Sequence, residues 1–161
     1  MNGPVQPEGW APPRGYSNGY VVDGVLYAPT AGRALVALDA ASGSERWRVS
    51  FEINGSVRLQ DAPARRGLMY WPGDNAHPPR LMIGAGDWIY ALDPQTGKTL
   101  QGFGENGRAF LPTGATVSGA VYNNVFVTSG LFGDVYGFDV RDGRQLWRFK
   151  SVAQEGEIGG E

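Results

Sequence analysis

The sequence predicts an all-β protein built as an incomplete β-propeller of about three four-stranded blades. Three observations support this prediction: short β-rich runs alternate with turn residues, one aspartate–glycine turn motif recurs, and no stretch has the periodicity of a capped helix. The 161 residues are enough for one domain, and 42% of them are hydrophobic beside 25 glycines and 11 prolines. That mixture is typical of many short strands joined by turns.

The first repeat unit opens with a hairpin and closes with a tryptophan. Asp23-Gly24 stands between two β-rich runs in GYVVDGVLYAPT, a strong hairpin signal. The strand ALVALD then leads into a turn at Asp39, whose carboxylate can accept hydrogen bonds from its own turn. Gly43 can take the positive φ of a bulged hairpin loop, and Trp47 stands on the returning strand.

The same unit recurs twice along the chain. The segments RLMIGAGDWIYALDPQTGKTLQGF and GAVYNNVFVTSGLFGDVYGFDVRDGRQLWRF repeat the order strand, aspartate, glycine, strand, with Asn123-Asn124 as the first turn of the last unit. The spacing of Asp39, Asp93 and Asp139 is close to the roughly 40–50 residues of a four-stranded blade. We therefore expect residues 18–150 to hold the repeats.

The pattern D-x-x-x-G-x-x-x-W occurs at 39–47 and again at 139–147. We expect its aspartate and glycine to shape a hairpin and its tryptophan to pack one blade on the next, which explains all three positions without catalysis. In the middle copy Gln101 stands where the tryptophan would fall. We therefore expect that interface to be packed differently.

Net charge, hydropathy, cysteine content and the two terminal segments limit which functions and locations are expected of the chain. The net charge of −2 argues against general attraction to nucleic acid or an anionic membrane, and no apolar run is long enough to span a bilayer. Cysteine is absent, which excludes disulfide and thiolate chemistry. Residues 1–17 are a proline- and glycine-rich lead-in without signal-peptide features, and residues 151–161 are an acidic, glycine-rich tail. The chain is therefore expected either to be cytoplasmic or to lack its natural beginning.

The repeats resemble the quinoprotein dehydrogenases that use pyrroloquinoline quinone (PQQ), especially the glucose- and alcohol-oxidising type. The matching segments are GVLYAPTAGRALVALDAASGSERW, ARRGLMYWPGD, ALDPQTGKTLQGFGENG and VTSGLFGDVYGFDVRDGRQLW. The most specific part is RRGLMYWPGD followed by RLMIGAGDWIYALD. The recurring tryptophan pattern resembles the family's tryptophan-docking motif. The resemblance covers nearly everything from Gly19 to Phe149.

This resemblance implies a fragment of an eight-bladed propeller that carries PQQ and calcium on its axis. Such a fragment would contribute part of the cofactor cradle of a periplasmic enzyme that oxidises a sugar or an alcohol. No segment matches the family's catalytic aspartate and its lysine partner, so we expect no catalytic residue here and no activity from this chain alone.

The resemblance also implies five cofactor-binding residues. PQQ carries three carboxylates, for which arginines and backbone N–H groups are suitable partners, and Arg33 and Arg66 lie in matching segments. Trp71 stands where the methanol-dehydrogenase branch also has tryptophan, and Ser129 and Gly130 match the start of the family's S-G-A-E loop. The alternatives are a solvated surface charge for each arginine and a core or interblade aromatic for Trp71.

No metal ligand is assigned. Phe132 falls on the glutamate position that binds calcium in the family, and phenylalanine offers no oxygen. Calcium therefore stays possible without its expected ligand; Asp134 could replace that ligand or could shape a turn. His77 lies in a proline-rich loop, where we expect it to be exposed without a second ligand.

Two alternatives to a dehydrogenase fragment remain open: a non-enzymatic propeller-repeat protein that has lost the cofactor site, and a partial product that folds poorly. The expected partners are a sugar or alcohol substrate, if further blades complete the site, and a second copy or a complementing chain. Self-association is expected because an arc of three blades leaves apolar end faces uncovered.

Overall fold

A computed structural model describes residues 19–30, 34–50, 68–115, 117, 119–130 and 133–153. Within these ranges the chain forms twelve strands and no helix. The strands make three antiparallel four-stranded sheets, in each of which the strands pair in sequence order. The predicted all-β class and the three blades are thereby confirmed.

Each blade consists of four consecutive strands. Blade 1 contains β1 (Tyr20–Val22), β2 (Val25–Pro29), β3 (Ala34–Asp39) and β4 (Glu45–Ser50). Blade 2 contains β5 (Met69–Trp71), β6 (Arg80–Ala85), β7 (Trp88–Leu92) and β8 (Arg108–Phe110). Blade 3 contains β9 (Ala120–Tyr122), β10 (Val125–Ser129), β11 (Val135–Asp139) and β12 (Gln145–Phe149).

The connections fall at two opposite ends of each sheet. In blade 1 Val25 pairs with both Val22 and Asp39, so the β1–β2 and β3–β4 turns share one end, here called the turn end. The β2–β3 connection leaves from the opposite, or loop, end. The β1–β2 turn is the predicted hairpin, with φ of 48° at Asp23 and 75° at Gly24, as a type I′ turn requires.

Blade 2 is buried on both faces because it lies between the other two blades. All six residues of β6 are buried. Since neighbouring side chains on a strand point to opposite faces, Leu81 and Ile83 pack with blade 1, while Met82 joins the core shared with blade 3. The hydrophobic core is therefore two interblade layers.

The first strands of the blades lie side by side. The Tyr20 ring on β1 stacks on Tyr70 of β5 with centroids 6.3 Å apart, and β5 lies next to β9. This is the arrangement expected of the inner strands of a propeller.

The described residues include no helix with the length and apolarity needed to cross a membrane. The lead-in at 1–17 and most of the tail lie outside the described residues.

One sequence prediction for blade 2 is wrong. The repeat predicts a strand directly after Gly97, yet in that stretch only Thr99 forms an isolated bridge, to Leu92, and the fourth strand comes later as β8. The chain turns inward instead: the Phe103 N–H donates to the Leu100 carbonyl over 3.0 Å, and Phe103 is completely buried. Burial of this ring therefore replaces strand pairing.

Candidate functional site

The aspartate–glycine turns at the turn end share one local design. In blade 1 the Asp39 carboxylate accepts hydrogen bonds from the Ala41 and Ser42 N–H groups over 3.1 and 3.0 Å. Four residues after each aspartate a glycine takes a φ of 70° to 77°, a region costly for residues with a Cβ. These glycines are Gly43, Gly97 and Gly143. The predicted roles of aspartate and glycine are confirmed.

Trp47 of blade 1 docks on the turn of blade 2. Its indole N–H donates to the Pro94 carbonyl over 2.9 Å, and a Cβ added at Gly97 would lie 2.7 Å from the ring. The ring also packs at 5.8 Å, between centroids, from Tyr27 of its own blade. The tryptophan therefore needs a neighbouring turn with a bare glycine surface.

Phe103 of blade 2 takes the corresponding place on the turn of blade 3. A Cβ added at Gly143 would lie 3.1 Å from its ring, and the Gly104 N–H donates to the Asp142 carbonyl over 2.8 Å. Gln101, which stands at the tryptophan position, is exposed, and its amide nitrogen donates to the nearby Thr99 hydroxyl. The expected difference in packing is thereby confirmed.

Arg80 adds a polar clamp to the same interface. Its side chain is buried, and one guanidinium nitrogen donates to the carbonyls of Val140 and Arg141 over 2.8 and 2.7 Å. The guanidinium also lies 5.0 Å above the Trp71 ring. Burial lowers the pKa of Arg80. The Arg80 guanidinium thus provides hydrogen bonds to two backbone carbonyls of the blade 3 turn.

The turns also carry ion pairs that stabilise their carboxylates. The Arg46 guanidinium, 2.7 Å from Asp39, is the main cause that holds the pKa of that carboxyl at about 2. The Asp139 pKa is lowered chiefly by its hydrogen bonds from the Arg141 side chain, of 2.8 and 2.5 Å. The Asp39 and Asp139 carboxylates therefore stabilise the turns in which they lie.

A groove of about 580 Å³ opens at the turn end between blades 1 and 2. Two carboxylates, Asp23 and Asp93, share its lining with Arg46, Tyr27 and Tyr70. Burial is the main cause that raises the pKa of both tyrosine hydroxyls. Trp71, Ser129 and Gly130, the predicted cofactor-binding residues that the structure describes, do not line this groove.

Ser129 and Gly130 lie at the opposite, loop end. Ser129 closes β10, and the Gly130 N–H donates to the Asp134 carbonyl over 2.9 Å. Thr113 approaches Gly130 so closely that no Cβ could be accommodated, and its hydroxyl lies 3.4 Å from the Tyr136 hydroxyl. The Gly130 backbone therefore packs against blade 2, and Ser129 beside it is partly exposed.

Asp134 is buried at this end and paired with Arg148 of the outer strand. The Arg148 Nε donates to Asp134 Oδ2 over 2.8 Å, and its Nη2 donates to the same oxygen. The guanidinium also covers the Tyr136 ring, 5.5 Å from its centroid. In the described part of the chain no group of three or more histidine, cysteine, aspartate or glutamate side chains could hold a metal. Asp134 is thus committed to an arginine.

Trp71 lies at the turn end, away from Ser129 and Gly130. It pairs with Arg80, which neighbours the blade 3 turn, and only 3% of its surface is exposed. This is the interblade alternative for Trp71, and the structure does not bring it together with the serine and glycine. Arg33, Arg66 and Phe132 lie outside the described residues. Cofactor contact by each of the five residues stays a prediction.

His77 holds the loop between β5 and β6. Its ring Nδ1 lies 2.9 Å from Asp74, whose carboxylate also accepts the His77 backbone N–H over 2.8 Å. The pKa of Asp74 is lowered chiefly by the hydrogen bond that the Ala76 backbone N–H donates to its carboxylate, and next by that from the His77 ring. The imidazole therefore belongs to a local turn.

Three residues with interblade roles were not identified from the sequence: Phe103, Arg80 and Thr113. An aromatic residue just after a repeat's tryptophan position was a usable signal for Phe103. Arg80 opens a strand and has the usual appearance of a surface arginine, so nothing local indicates its burial. Thr113 acts through contact with a glycine on another blade, which only the fold reveals.

Comparison with known proteins identifies a matching family. Residues 8–160 match a protein-family model, which is described as "PQQ: Glucose/ethanol/alcohol dehydrogenase, beta-propeller domain". The chain is 32% identical over 139 residues to the quinohemoprotein alcohol dehydrogenase ADH IIB of Pseudomonas putida, which covers 81% of this chain and 19% of that protein. It is 26% identical over 168 residues to quinoprotein glucose dehydrogenase A of Acinetobacter calcoaceticus, with 81% and 21% covered.

A solved structure agrees with the fold. The quinohemoprotein alcohol dehydrogenase of Comamonas testosteroni matches with a TM-score of 0.60 at 23% identity, covering 84% of this chain and 21% of that one. At this identity the match establishes the fold alone. The chain spans about a fifth of the length of the relatives that it matches.

Proposed function

Because the chain belongs to the PQQ family of glucose, ethanol and alcohol dehydrogenase β-propeller domains, we propose that it supplies three blades to a dehydrogenase of a sugar or an alcohol. The observation that carries this proposal is the family match over residues 8–160, which spans all three described blades. Its relatives are named as quinoprotein dehydrogenases, but the chain has only about a fifth of their length. Its role is therefore part of a cofactor cradle.

The loop end fits such a role in its hydrogen-bonding groups. When bound, PQQ supplies the redox chemistry by accepting a hydride equivalent from an alcohol carbon. Hydroxyls such as that of Ser129 can hydrogen-bond quinone or carboxylate oxygens. The Arg148 charge at this end is already paired with Asp134, so its guanidinium is not free for cofactor carboxylates. Arg33 and Arg66 are the cations that we propose for them.

We assign each candidate a binding role and none a catalytic one. Ser129 would donate a hydrogen bond from its hydroxyl, and Gly130 would hold Ser129 in place through its packing on Thr113. The two arginines would pair with carboxylates through their planar, multi-donor guanidinium groups. The base that removes the substrate hydroxyl proton would come from other blades.

Two observations favour the second candidate, a propeller-repeat protein without the cofactor. Asp134, which could have replaced a missing calcium ligand, is paired with Arg148. Trp71 is buried between blades, so almost none of its surface is available to a ligand. In this second candidate Asp134 and Trp71 only stabilise the three blades, and the blades act as a binding or scaffold surface.

Titration of the purified chain with PQQ, with and without calcium, separates the two candidates. The dehydrogenase proposal expects saturable binding, seen as a change in PQQ absorbance, and a weaker affinity for Ser129→Ala and for Arg33→Ala. Each substitution is expected to weaken PQQ binding roughly 5- to 20-fold, which corresponds to the loss of one charged or neutral hydrogen bond.

Ser42→Ala and Arg144→Ala are the matched controls, because both residues are exposed near the turn end. Unchanged PQQ affinity is expected for them. No saturable binding by the parent chain would overturn the cofactor role and leave the scaffold candidate. Equal losses from the control variants would show that binding is not at the loop end.

A further inference from the structure

The groove at the turn end is the open mouth of the core layer that blades 1 and 2 share. Tyr27, Trp47 and Tyr70 belong both to that core and to the groove lining. The groove lies between two neighbouring blades, both of them described, so it does not depend on either end face of the arc. Its volume of about 580 Å³ falls within the roughly 300–1,000 Å³ of small-molecule pockets.

Tyr27 brings a polar group without a protein partner to this groove. Only 4% of the residue is exposed, because its ring packs against Trp47 with the centroids 5.8 Å apart. Its hydroxyl forms no hydrogen bond with any of the described residues, yet the oxygen is not sealed from outside. Buried polar groups in proteins normally have a hydrogen-bond partner. We therefore expect the partner of this hydroxyl to be a group bound in the groove.

The charged residues of the lining leave an excess of negative charge. Asp23 and Asp93 share the lining with one cation, Arg46. The Arg46 charge is balanced by Asp39, 2.7 Å away, which is not itself part of the lining. Asp93 accepts the Gln95 N–H over 2.8 Å, whereas Asp23 forms no ion pair within the described part of the chain. The groove therefore attracts a cation more strongly than an anion.

The second tyrosine hydroxyl lies near the free carboxylate. Burial is the main cause that raises the pKa of the Tyr70 hydroxyl, and the negative charge of Asp23 is the next. This hydroxyl is therefore neutral at ordinary pH and can accept a hydrogen bond. The rings of Tyr70 and Trp47 add apolar walls whose faces attract organic cations.

From this combination we propose that the groove binds a small molecule with a primary alkylammonium group, which donates hydrogen bonds to the Tyr27 hydroxyl and the Asp23 carboxylate. Such an ammonium has three N–H donors and no acceptor, so it matches hydroxyl and carboxylate oxygens. Its alkyl chain would pack against the rings of Tyr70 and Trp47. The site lies at the opposite end of the blades from Ser129, so it is independent of the proposed cofactor role.

The experiment titrates the 161-residue chain with butylammonium and follows the indole N–H signal of Trp47 by NMR. 1-Butanol carries the same alkyl chain without the charge, and glucose tests a neutral polyol. The Trp147 signal, from blade 3, reports unspecific effects. A saturable shift at Trp47 is expected with butylammonium, and none with the other two probes. A lysine blocked at both backbone ends presents the same ammonium on a peptide, and it is expected to bind more weakly.

Two conservative variants each remove one proposed acceptor. Tyr27→Phe keeps the ring but lacks the hydroxyl. Asp23→Asn removes the charge, while asparagine tolerates the φ of 48° and suits the hairpin turn. Tyr122→Phe and Asp87→Asn are the matched controls, because both residues are exposed and lie outside the groove; Asp87 belongs to the hairpin turn between β6 and β7. Urea unfolding verifies that each variant is folded.

Tyr27→Phe is expected to weaken butylammonium binding roughly 5- to 20-fold, the loss of one hydrogen bond to a charged group. Its stability should equal that of the parent, because the hydroxyl has no protein partner to lose. Asp23→Asn should weaken binding about 2- to 5-fold, since Asp23 is exposed. Both controls should bind like the parent.

Several results would overturn the proposal. Butylammonium that produces no saturable shift at Trp47, or an equal shift at Trp147, would show that the groove is not an ammonium site. Equal binding of 1-butanol or glucose would show that charge is not recognised. Unchanged affinity in Tyr27→Phe, or equal losses in the controls, would remove the assigned acceptors. Tighter binding of the blocked lysine would replace the small molecule by a lysine side chain of a partner protein.

Discussion

At Gly97 two separate requirements fall on one residue: a positive φ and a surface bare enough for an indole. Gly43 meets the first requirement alone, because its φ is 73° but no ring among the described residues covers it. The two glycines occupy the same position in the repeat. They therefore allow the energetic effect of docking to be separated from that of backbone conformation.

Substitution of each glycine by alanine is predicted to have unequal effects on the free energy of unfolding. Gly43→Ala should cost about 1–2 kcal/mol, the penalty for a Cβ in the left-handed region. Gly97→Ala should cost a further 1–3 kcal/mol or so, since its Cβ would lie 2.7 Å from the Trp47 ring and force that ring to move. Urea unfolding at low protein concentration measures both. Equal losses would show that the indole does not depend on the bare glycine.

The Asp39–Arg46 pair predicts a pH dependence of stability at acid pH. The folded pKa of about 2 lies below the ordinary value of 3.8, so the folded chain binds fewer protons than the unfolded chain in this window. The stabilisation is therefore complete above about pH 4 and is lost as the pH falls towards 2.

Asp39→Asn should consequently lose less stability than the parent chain between about pH 4 and pH 2. Since both partners are partly exposed, added salt should weaken the parent's dependence. Unfolding free energies across this pH range, at low and high salt, give the comparison. Identical pH slopes for parent and variant would contradict the assigned role of the pair.

At the scale of elements, blade 2 reaches blade 3 by a different segment from that used by blade 1. The ring comes from Phe103, two residues beyond the exposed Gln101, and the strand that should follow Gly97 is displaced to β8. Arg80 supports the same interface through two backbone carbonyls. Interblade docking is therefore kept although the local chain path changes.

Phe103→Ala is predicted to reduce the free energy of unfolding by about 3–5 kcal/mol, the usual loss for a fully buried aromatic ring. Gln101→Ala, at the nominal tryptophan position, should change it by less than about 0.5 kcal/mol because Gln101 is exposed. Chemical denaturation of the two variants measures this contrast. A larger loss at Gln101 would return the docking role to the repeat position.

The features predictable from sequence were those with local causes. The Asp23-Gly24 hairpin and the turn at Asp39 follow from turn chemistry within a few residues. The course of the chain after Gly97 could not be predicted, because it depends on burial of Phe103 against another blade. At the loop end the resemblance predicted cofactor contacts for Ser129 and Gly130, which stay a prediction, whereas the pairing of Asp134 with Arg148 depends on strand register and could not be predicted.

At the scale of the whole molecule, the three blades form an arc with a repeated, directional contact. Its two interblade cores lie on the two faces of blade 2. The arc corresponds to about a fifth of the length of related dehydrogenases. Docking of an aromatic side chain on the next blade's turn is the central feature that holds such an arc together.

Hydrogen exchange at the tryptophan indole N–H groups, followed by NMR, tests this feature most directly. Single Trp→Phe variants assign the signals. In dilute solution the Trp47 N–H should exchange slowly, because it is bonded to the Pro94 carbonyl, whereas the exposed Trp147 N–H should exchange fast. Exchange at Trp47 as fast as at Trp147 would contradict interblade docking.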